Sequence, residues 1–217
     1  MSLRKINFVP NEYYHIYNRG NSKQKIFNDE EDYERFMKLL FLSNGNNNFK
    51  IYFIKSDFIY DFDRGEQYVD IGAYCLMPNH FHILITQTEN GSISKFMQKL
   101  TTAYSMYYNK KYERTGSLFE GKFKSQHAGS DRYLKYLFSY IHLNPLKLLD
   151  TKWKEVGVKN ITKALDFLKN YKYSSYKDYL NEKKAESIIL NVKSFPNYFP
   201  TKETFIKEIF EWINYEK

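Results

Sequence analysis

Two histidines separated by one residue, His80 and His82, are the first feature of this sequence that suggests chemistry. They lie in an apolar run typical of a β-strand, where residues two apart project from the same face and Phe81 projects from the other. Two neutral imidazoles on one face can chelate a divalent metal ion and leave room for oxygen ligands and water. Such a pair also occurs in purely structural roles, so it needs support from other residues.

Tyr140 and Asn144 form a second pair, four residues apart on the last turn of a predicted helix and therefore on one face. A phenol can act as a nucleophile toward phosphorus, and an amide oxygen is a hard metal ligand. The chain has 21 tyrosines, so packing is the competing explanation. Tyr136, one turn earlier, is a rival nucleophile. His142 lies about 200° round the helix from Tyr140 and should not share the site.

The elements that must position these residues begin with an aromatic, β-branched segment over 12–18, which predicts a strand. A helix should follow after the turn at 18–21. Asn28 is the expected N-cap, Glu31 stands in a capping-box relation to it, and apolar spacing continues the helix to about Leu42.

Two strand-like runs at 68–76 and 80–86, joined by 77–79, predict a hairpin that carries both histidines of the pair. Residues 49–54, before the hairpin, are ambiguous between a strand and a buried helix. The segment 61–66 is polar and predicts a loop.

Residues 90–92 open a helix with regular apolar spacing, and a loop is expected over 113–129. Ser130 can cap the next helix. Pro145 should stop that helix near Asn144, because the residue before a proline is disfavoured in α geometry.

The remaining pattern predicts a helix over 161–170, a tyrosine-rich strand or loop over 171–180 and a terminal helix over 201–215. The order of elements favours an α+β fold, a ferredoxin-like antiparallel sheet flanked by helices. Residues 1–150 would form this domain. Residues 151–217 would be a C-terminal helical extension packed on it.

The composition, with 42% hydrophobic and 19% aromatic residues among 217, excludes intrinsic disorder. No apolar stretch approaches the roughly 20 residues of a membrane span, and residues 1–5 lack a signal-peptide apolar region. We therefore expect a soluble, cytoplasmic protein. Cys75 is the only cysteine, so an intrachain disulfide and a cysteine-built zinc site are excluded.

The net charge of +8 is concentrated, with nine basic and three acidic residues between Lys95 and Lys135. A field of one sign favours a polyanion such as nucleic acid, although a solvated lysine-rich surface is the alternative. Only six of the 33 basic residues are arginine, the residue suited to bidentate base contacts. Phosphate contacts and salt-sensitive affinity are therefore expected.

Residues 73–85, Ala-Tyr-Cys-Leu-Met-Pro-Asn-His-Phe-His-Ile-Leu-Ile, resemble the His-hydrophobic-His (HUH) motif of single-tyrosine transposases, most closely the REP-associated tyrosine transposases. Four further blocks resemble this family in the expected order. They are its first strand at 14–20, its basic loop at 114–124, its nucleophile helix at 140–145 and its tail motif at 173–176. Two departures are Glu120, where relatives often have glutamine, and a longer insertion at 44–66.

The resemblance implies the HUH endonuclease fold, with His80, His82 and Asn144 as ligands of a divalent metal, Mg²⁺ or Mn²⁺. It further implies that Tyr140 attacks a DNA phosphodiester to give a 5′-phosphotyrosine, so that single-stranded or hairpin DNA is cleaved and rejoined without ATP. A homodimer and a monomer are both known arrangements in the family. No membrane partner is expected.

Contacts to DNA are expected from basic residues in and near the basic loop, where aromatic side chains alternate with lysines and can stack on bases. The candidates are Arg114, Lys122, Lys124 and Arg132, with Arg19 as a secondary one. His15, on the first strand, is a possible neighbour of the site, although a structural role is the favoured interpretation. The residues do not identify the base that deprotonates the tyrosine.

Two other functions stay open at this stage. A non-catalytic nucleic-acid-binding module would bind DNA without regard to metal or to Tyr140. A metal-dependent nuclease using water would cleave without a covalent adduct. The sequence also leaves open the DNA recognised and the choice between a mobile-element and a host role.

Overall fold

A four-stranded antiparallel sheet forms the centre of the computed structural model, which describes residues 7–214. The strands are β1 (Tyr13–Arg19), β2 (Val69–Met77), β3 (His80–Gln87) and β4 (Lys124–His127). Their order across the sheet is β2-β3-β1-β4, so β3 and β1 are central. The predicted α+β class and antiparallel sheet are confirmed.

Helices cover both faces of this sheet. Helices α1 (Glu30–Leu42) and α2 (Ser92–Lys111) pack on one face, and α3 (Asp131–Leu143) packs on the other. The chain order β1-α1-β2-β3-α2-β4 is that of a ferredoxin-like fold. Alternation along β3 divides its side chains, so Phe81 joins the core under α1 and α2 while Leu84 joins the core under α3.

The C-terminal part of the chain is built from short helices and 3₁₀ turns. The helices are α4 (Trp153–Val156), α5 (Ile161–Asn170), α6 (Tyr176–Tyr179) and α7 (Lys202–Ile213). Together with the end of α3 they enclose a third apolar cluster that includes Leu143, Leu168 and Phe205. Helix α7 covers most of the predicted terminal helix. Tyr215, the predicted end of that helix, lies outside the described residues, and so do residues 1–5, which were considered for a signal peptide.

Single-turn 3₁₀ segments link the main elements. They are Asn21–Lys23, Ile51–Phe53, Ser56–Asp61, Asn144–Leu148, Ala185–Ile189 and Val192–Ser194. The ambiguous residues 49–54 thus form neither a strand nor a regular helix. Within residues 7–214, no helix is long and apolar enough to cross a membrane.

Two local predictions were wrong. The N-cap of α1 is Asp29, whose carboxylate accepts from the Asp32 backbone N–H, and not Asn28. The amide of Asn28 instead donates to the Tyr108 hydroxyl, at 2.8 Å. Strand β4 lies inside the segment predicted as a loop; it is short and mostly polar, and its pairing with β1 is a long-range contact that local pattern does not reveal.

Helix α3 ends at Leu143, next to the predicted end, but the geometry of Asn144 differs from the prediction, and the difference matters for the site. Asn144 keeps a helical backbone, with φ −54° and ψ −38°, and the chain tightens into a 3₁₀ turn that carries Pro145 at its start. Proline is compatible with the first turn of a helix because its missing N–H is not needed there. Asn144 therefore continues the face of α3 that carries Tyr140.

The outer edge of β2 is covered by the tail segment 173–175. The Leu76 N–H donates to the Tyr173 carbonyl at 2.9 Å, and the Ser175 N–H donates to the Tyr74 carbonyl at 3.0 Å. The fully buried Ser175 hydroxyl accepts from the Tyr74 N–H at 3.0 Å and lies 2.7 Å from Nε2 of His142. This hydroxyl therefore joins the sheet edge, the tail and α3.

Replacing that hydroxyl, in Ser175→Ala, should lower the free energy of unfolding by about 1–3 kcal/mol, because buried polar partners lose their hydrogen bonds. Urea denaturation followed by circular dichroism measures the change. Thr102→Ala, on the exposed side of α2, is the matched control and should change stability by less than about 0.5 kcal/mol. Equal stability of the two variants would contradict this account of the edge.

Candidate active site

His80 and His82 project from β3 toward the α3 side of the sheet, as their spacing predicts. His82 pairs across the sheet with Tyr17 on β1 and Cys75 on β2. Paired residues of antiparallel strands share a face, and Cys75 packs in the core beneath α3. The two imidazole rings lie 5.0 Å apart between centroids and are nearly perpendicular.

The orientation of His82 is set by a contact with His15. Nδ1 of His82 lies 2.8 Å from Nε2 of His15, inside the fold. The other nitrogen, Nε2 of His82, is buried and has no hydrogen-bond partner within the described part of the chain. With the Nδ1 proton of His82 donated to His15, Nε2 keeps its lone pair, which is the form that binds a metal.

The neighbouring residue Asn79 plays the same part for His80. Oδ1 of Asn79 lies 2.6 Å from Nδ1 of His80, and an amide oxygen can only accept. Nδ1 of His80 therefore carries the proton, and its Nε2 also keeps a lone pair. This is the same tautomer that His82 has when its Nδ1 donates to His15.

Tyr140 and Asn144 meet this pair from α3. The Tyr140 ring lies 5.6 Å from the His82 ring and 5.7 Å from the His15 ring, edge to face in both cases. Nδ2 of Asn144 donates to the Tyr140 carbonyl at 2.7 Å. Oδ1 of Asn144 is buried and has no partner among residues 7–214. The structure therefore brings a strand and a helix that are distant in sequence to one place.

Burial controls the ionisation of these groups. It lowers the pKa of His15 to about 4 and that of His80 to about 4, in the second case with help from Lys147 and Arg19. It lowers the pKa of His82 as well, because charging a buried ring beside two other imidazoles is unfavourable. All three rings are therefore neutral at pH 7.

The phenol of Tyr140 is also held in its neutral form. Burial raises its pKa, the nearby Tyr136 adds to this, and a hydrogen bond from the Asn144 side chain opposes it. Ionisation of Tyr140 therefore requires positive charge brought close to its oxygen.

Three cationic side chains surround the histidines. The charges of Lys147 and Lys154 act on His82, and Arg19 acts on His80. The Lys154 ammonium lies 4.3 Å above the centre of the Tyr140 ring. Lys147 is half-buried, and burial lowers its pKa. This is the electrostatic environment that suits a phosphate group.

Sequence reasoning missed Lys147 and Lys154, and it gave His15 as a possible neighbour of the site while favouring a structural role. Lys147 is three residues beyond Asn144, so the helical spacing carried a signal for it. Lys154 lies in the C-terminal part, and no sequence signal points to it, because its approach to Tyr140 depends on tertiary packing. His15 could be recognised only from the pairing of β1 with β3.

Of the two other residues that were considered on α3, Tyr136 lies beside Tyr140, with 5.8 Å between ring centroids, and His142 lies away from the site. The Tyr136 ring packs against Trp212, at 4.8 Å between centroids. Tyr136 lies one helical turn before Tyr140, and therefore farther from Asn144. His142 is fully buried on another side of α3, against Ser175 and Phe205, and burial lowers its pKa to about 3. His142 is thus separate from the site, as predicted.

The proposed DNA-contacting residues divide into two groups. Arg19 pairs across the sheet with His80, and Lys124 pairs with Tyr17, so both lie on the face of the site. Nζ of the exposed Lys124 lies 3.8 Å from Oε2 of Glu120. Lys122 is exposed in the loop between α2 and β4, whose residues also bond to the end of β1.

Arg114 and Arg132 do not converge with the histidines. The Arg114 guanidinium lies 5.6 Å above the Tyr108 ring at the end of α2, which covers the opposite face of the sheet. Arg132 is exposed in the first turn of α3, about 12 Å along the helix axis from Tyr140. A DNA strand that touches these arginines must extend beyond the site.

A divalent metal at the two histidines would need the amide oxygen of Asn144 as a further ligand from the protein. Over residues 7–214 no group of three or more His, Cys, Asp or Glu side chains could hold an ion. Nε2 of His82 and Oδ1 of Asn144, both buried without partners among residues 7–214, could offer one nitrogen and one oxygen donor. Nε2 of His80, on the same strand, could offer a second nitrogen. Imidazole with hard oxygen ligands suits Mn²⁺ well and Mg²⁺ acceptably.

The sheet order β2-β3-β1-β4 and the helices on its two faces form a fold that is shared with a solved structure. A solved structure with this fold is "Structure of the REP associates tyrosine transposase bound to a REP hairpin", with a TM-score of 0.50, 11% identity, and coverage of 86% of this chain and 90% of that one. The tRNA(His) guanylyltransferase of Saccharomyces cerevisiae aligns with a TM-score of 0.36 and 12% identity, covering 92% and 87%.

Residues 64–144 match the model of the family described as Transposase IS200 like. The matched segment contains both histidines of the pair, Tyr140 and Asn144. The match confirms the resemblance of this segment to IS200-like transposases. A search of curated proteins found no significant match.

The buried neutral histidines make fold stability depend on pH. An unfolded histidine takes up a proton near pH 6.5, whereas His15 in the folded chain does so only near pH 4. Between these values the unfolded state binds more protons, so the free energy of unfolding falls as the pH falls. His15 alone should contribute a slope of about 1.4 kcal/mol per pH unit.

Urea denaturation between pH 7 and pH 5 measures this slope. His15→Phe keeps an aromatic ring and removes the titrating group, so the slope of the variant should be smaller by that amount. Identical slopes would contradict the burial of a neutral His15.

Proposed function

We propose that this protein is a metal-assisted DNA strand transferase that cleaves and rejoins single-stranded or hairpin DNA through a 5′-phosphotyrosine on Tyr140. In this proposal His80, His82 and Asn144 hold a divalent cation, Mg²⁺ or Mn²⁺. Residues 1–150 form the catalytic domain, and residues 151–217 form an extension packed on it. The family match and the fold support the transposase class; the residue roles are our proposal.

One observation carries the assignment of roles. The Tyr140 ring packs against the His82 and His15 rings, while the buried donor atoms of His82 and Asn144 have no partner in the part of the chain that the structure describes. Buried polar atoms without hydrogen bonds are unfavourable and rare in native proteins. Two such atoms beside one tyrosine support a common ligand.

A divalent cation bound by this donor set would neutralise charge on the non-bridging oxygens of a phosphodiester and increase the electrophilicity of phosphorus. The protein's own contribution is to keep both Nε2 lone pairs available. Asn79 and His15 do this by accepting the Nδ1 protons.

The reaction we propose is a transesterification. The Tyr140 oxygen forms a bond to phosphorus, the bond from phosphorus to the 3′ oxygen breaks, and the released 3′ oxygen takes up a proton as the phenol proton is lost to solvent. The number of phosphoester bonds is unchanged, so the step is reversible and needs no ATP. Lys154, 4.3 Å above the ring, favours the ionised phenol during attack.

The cations around the site support binding of the scissile strand. Arg19 and Lys147 lie beside the histidines, and Nε of Arg19 is a buried donor without a partner among the described residues. We propose that Lys122 and Lys124 extend this surface along the strand and that Arg114 and Arg132 contact more distant phosphates. The solved neighbour is bound to a REP hairpin, and we extend hairpin binding to this chain.

Tyr140→Phe should abolish a covalent protein–DNA adduct while leaving DNA binding within about twofold, because the ring remains and only the nucleophile is lost. The assay incubates the protein with labelled hairpin and single-stranded DNA and Mn²⁺, then resolves the products on a denaturing gel.

Tyr136→Phe is the matched control, one helical turn away, and should retain the adduct. Loss of the adduct in Tyr136→Phe alone would move the nucleophile to that residue. Cleavage without any adduct would favour a nuclease that uses water, and binding without cleavage would favour a non-catalytic module.

His15→Phe should weaken Mn²⁺ binding by about 10–100-fold, because Nδ1 of His82 loses its acceptor and the proton can move to Nε2. His15→Gln offers an acceptor oxygen and should restore part of the affinity. Isothermal titration calorimetry with Mn²⁺ measures the three affinities.

His127→Gln is the control for this series. His127 lies on the edge strand β4 and contacts Glu12 at 2.6 Å, away from the histidine pair, so its replacement should leave the affinity unchanged. Equal Mn²⁺ affinity in His15→Phe and the original protein would contradict the positioning role of His15.

A further inference from the structure

An open cavity of about 620 Å³ lies beside Tyr140, between α3, α4 and α7. Its volume falls within the range of about 300–1,000 Å³ that is usual for ligand pockets. Tyr140 belongs to its wall, so the cavity adjoins the position at which the proposed attack takes place. Tyr136 and Leu143 of the same helix also line it, and the remaining wall residues lie beyond the segment that matches the transposase family.

Aromatic rings form much of the wall. Trp153 is buried beneath the cavity, while Trp212 is only partly buried. The Trp212 ring packs against Tyr136 at 4.8 Å, and its indole N–H donates to the Glu208 carboxylate at 2.9 Å. These contacts fix the plane of the indole. A fixed aromatic plane at the edge of a cavity is suited to stacking with a flat, uncharged ring system.

The charges at the cavity favour an anion attached to that ring. Lys154 and Lys159 line the wall, and Lys154 lies above both Tyr140 and Trp153, at 4.3 and 5.6 Å from the ring centres. Glu155 is the acidic residue in the same wall. A nucleotide combines a flat base with a phosphate. The base suits the aromatic walls, and the phosphate suits the Lys154 ammonium beside the tyrosine.

We propose that this cavity binds an unstacked nucleobase of the DNA strand, from the nucleotide next to the phosphate that Tyr140 attacks. The proposal rests on the proposed function and adds a binding site to it. Removing a base from its stack exposes the neighbouring phosphate and lets it approach a half-buried tyrosine. The base stacks on Trp212, and Lys154 contacts the adjoining phosphate.

The chain offers a direct optical test, because Trp153 and Trp212 are its two tryptophans and both line the cavity. The Tyr140→Phe protein is titrated with a mixed-sequence single-stranded oligonucleotide in EDTA, so that no cleavage occurs. Tryptophan emission should be quenched as the oligonucleotide binds. An oligonucleotide of the same length with abasic sites keeps the phosphates and should bind with much less quenching.

Trp212→Ala should weaken binding of the intact oligonucleotide by about 5- to 150-fold, the range for loss of one base–aromatic stack, and should leave binding of the abasic one unchanged. Trp212→Phe keeps a ring and should recover much of the affinity. Phe210→Ala is the matched control, since Phe210 is exposed on the same helix and does not line the cavity. Fluorescence anisotropy of a labelled oligonucleotide measures the affinities.

The outcomes separate the two proposals. An adduct on Tyr140 with unchanged tryptophan emission, and equal binding by Trp212→Ala and Phe210→Ala, would overturn the base site and keep the proposed function. Quenching by the intact oligonucleotide with a selective loss in Trp212→Ala would support the base site even if no adduct formed. Absence of DNA binding would overturn both.

Discussion

The contact between His15 and His82 is the constraint on which the rest of the site depends. A lone imidazole can place its proton on either nitrogen, and only one choice leaves the inner nitrogen of His82 able to accept a metal. Nε2 of His15 on β1 lies 2.8 Å from Nδ1 of His82, and in the proposed arrangement it accepts that proton. Burial then keeps both rings uncharged at neutral pH, as the lowered pKa of each shows. The ferredoxin-like sheet supplies this arrangement because it places β1 beside β3 in its centre.

The helix above the sheet has to satisfy a second requirement, since nucleophile and ligand must point the same way. The four-residue spacing of Tyr140 and Asn144 meets it only if the helical backbone continues through residue 144. A proline disfavours helical geometry in the residue before it, yet Pro145 lies at the start of a 3₁₀ turn and the backbone of Asn144 stays helical. The side-chain amide of Asn144 then donates to the Tyr140 carbonyl, and its Oδ1 is left buried without a partner among residues 7–214.

Much of the site could be predicted from short-range pattern. The alternation of His80 and His82, the spacing of Tyr140 and Asn144, and the hairpin turn at 78–79 are local properties, and the structure reproduces each of them. What depends on distant pairing could not be predicted. Strand β4 has four residues and little apolar character, so only its partner β1 defines it.

The same limit applies to single residues. His15 carries no motif of its own, and its role follows from the register of β1 against β3. Lys154 is separated from Tyr140 by the 3₁₀ turn, and its ammonium reaches the tyrosine ring through folding of the chain after α3. Because the wall beside the nucleophile is built from α4 and α7, changes in residues 153–214 can alter which strand is accepted without touching the groups that break and make bonds. Substrate choice and bond chemistry can in this way diverge independently within one polypeptide.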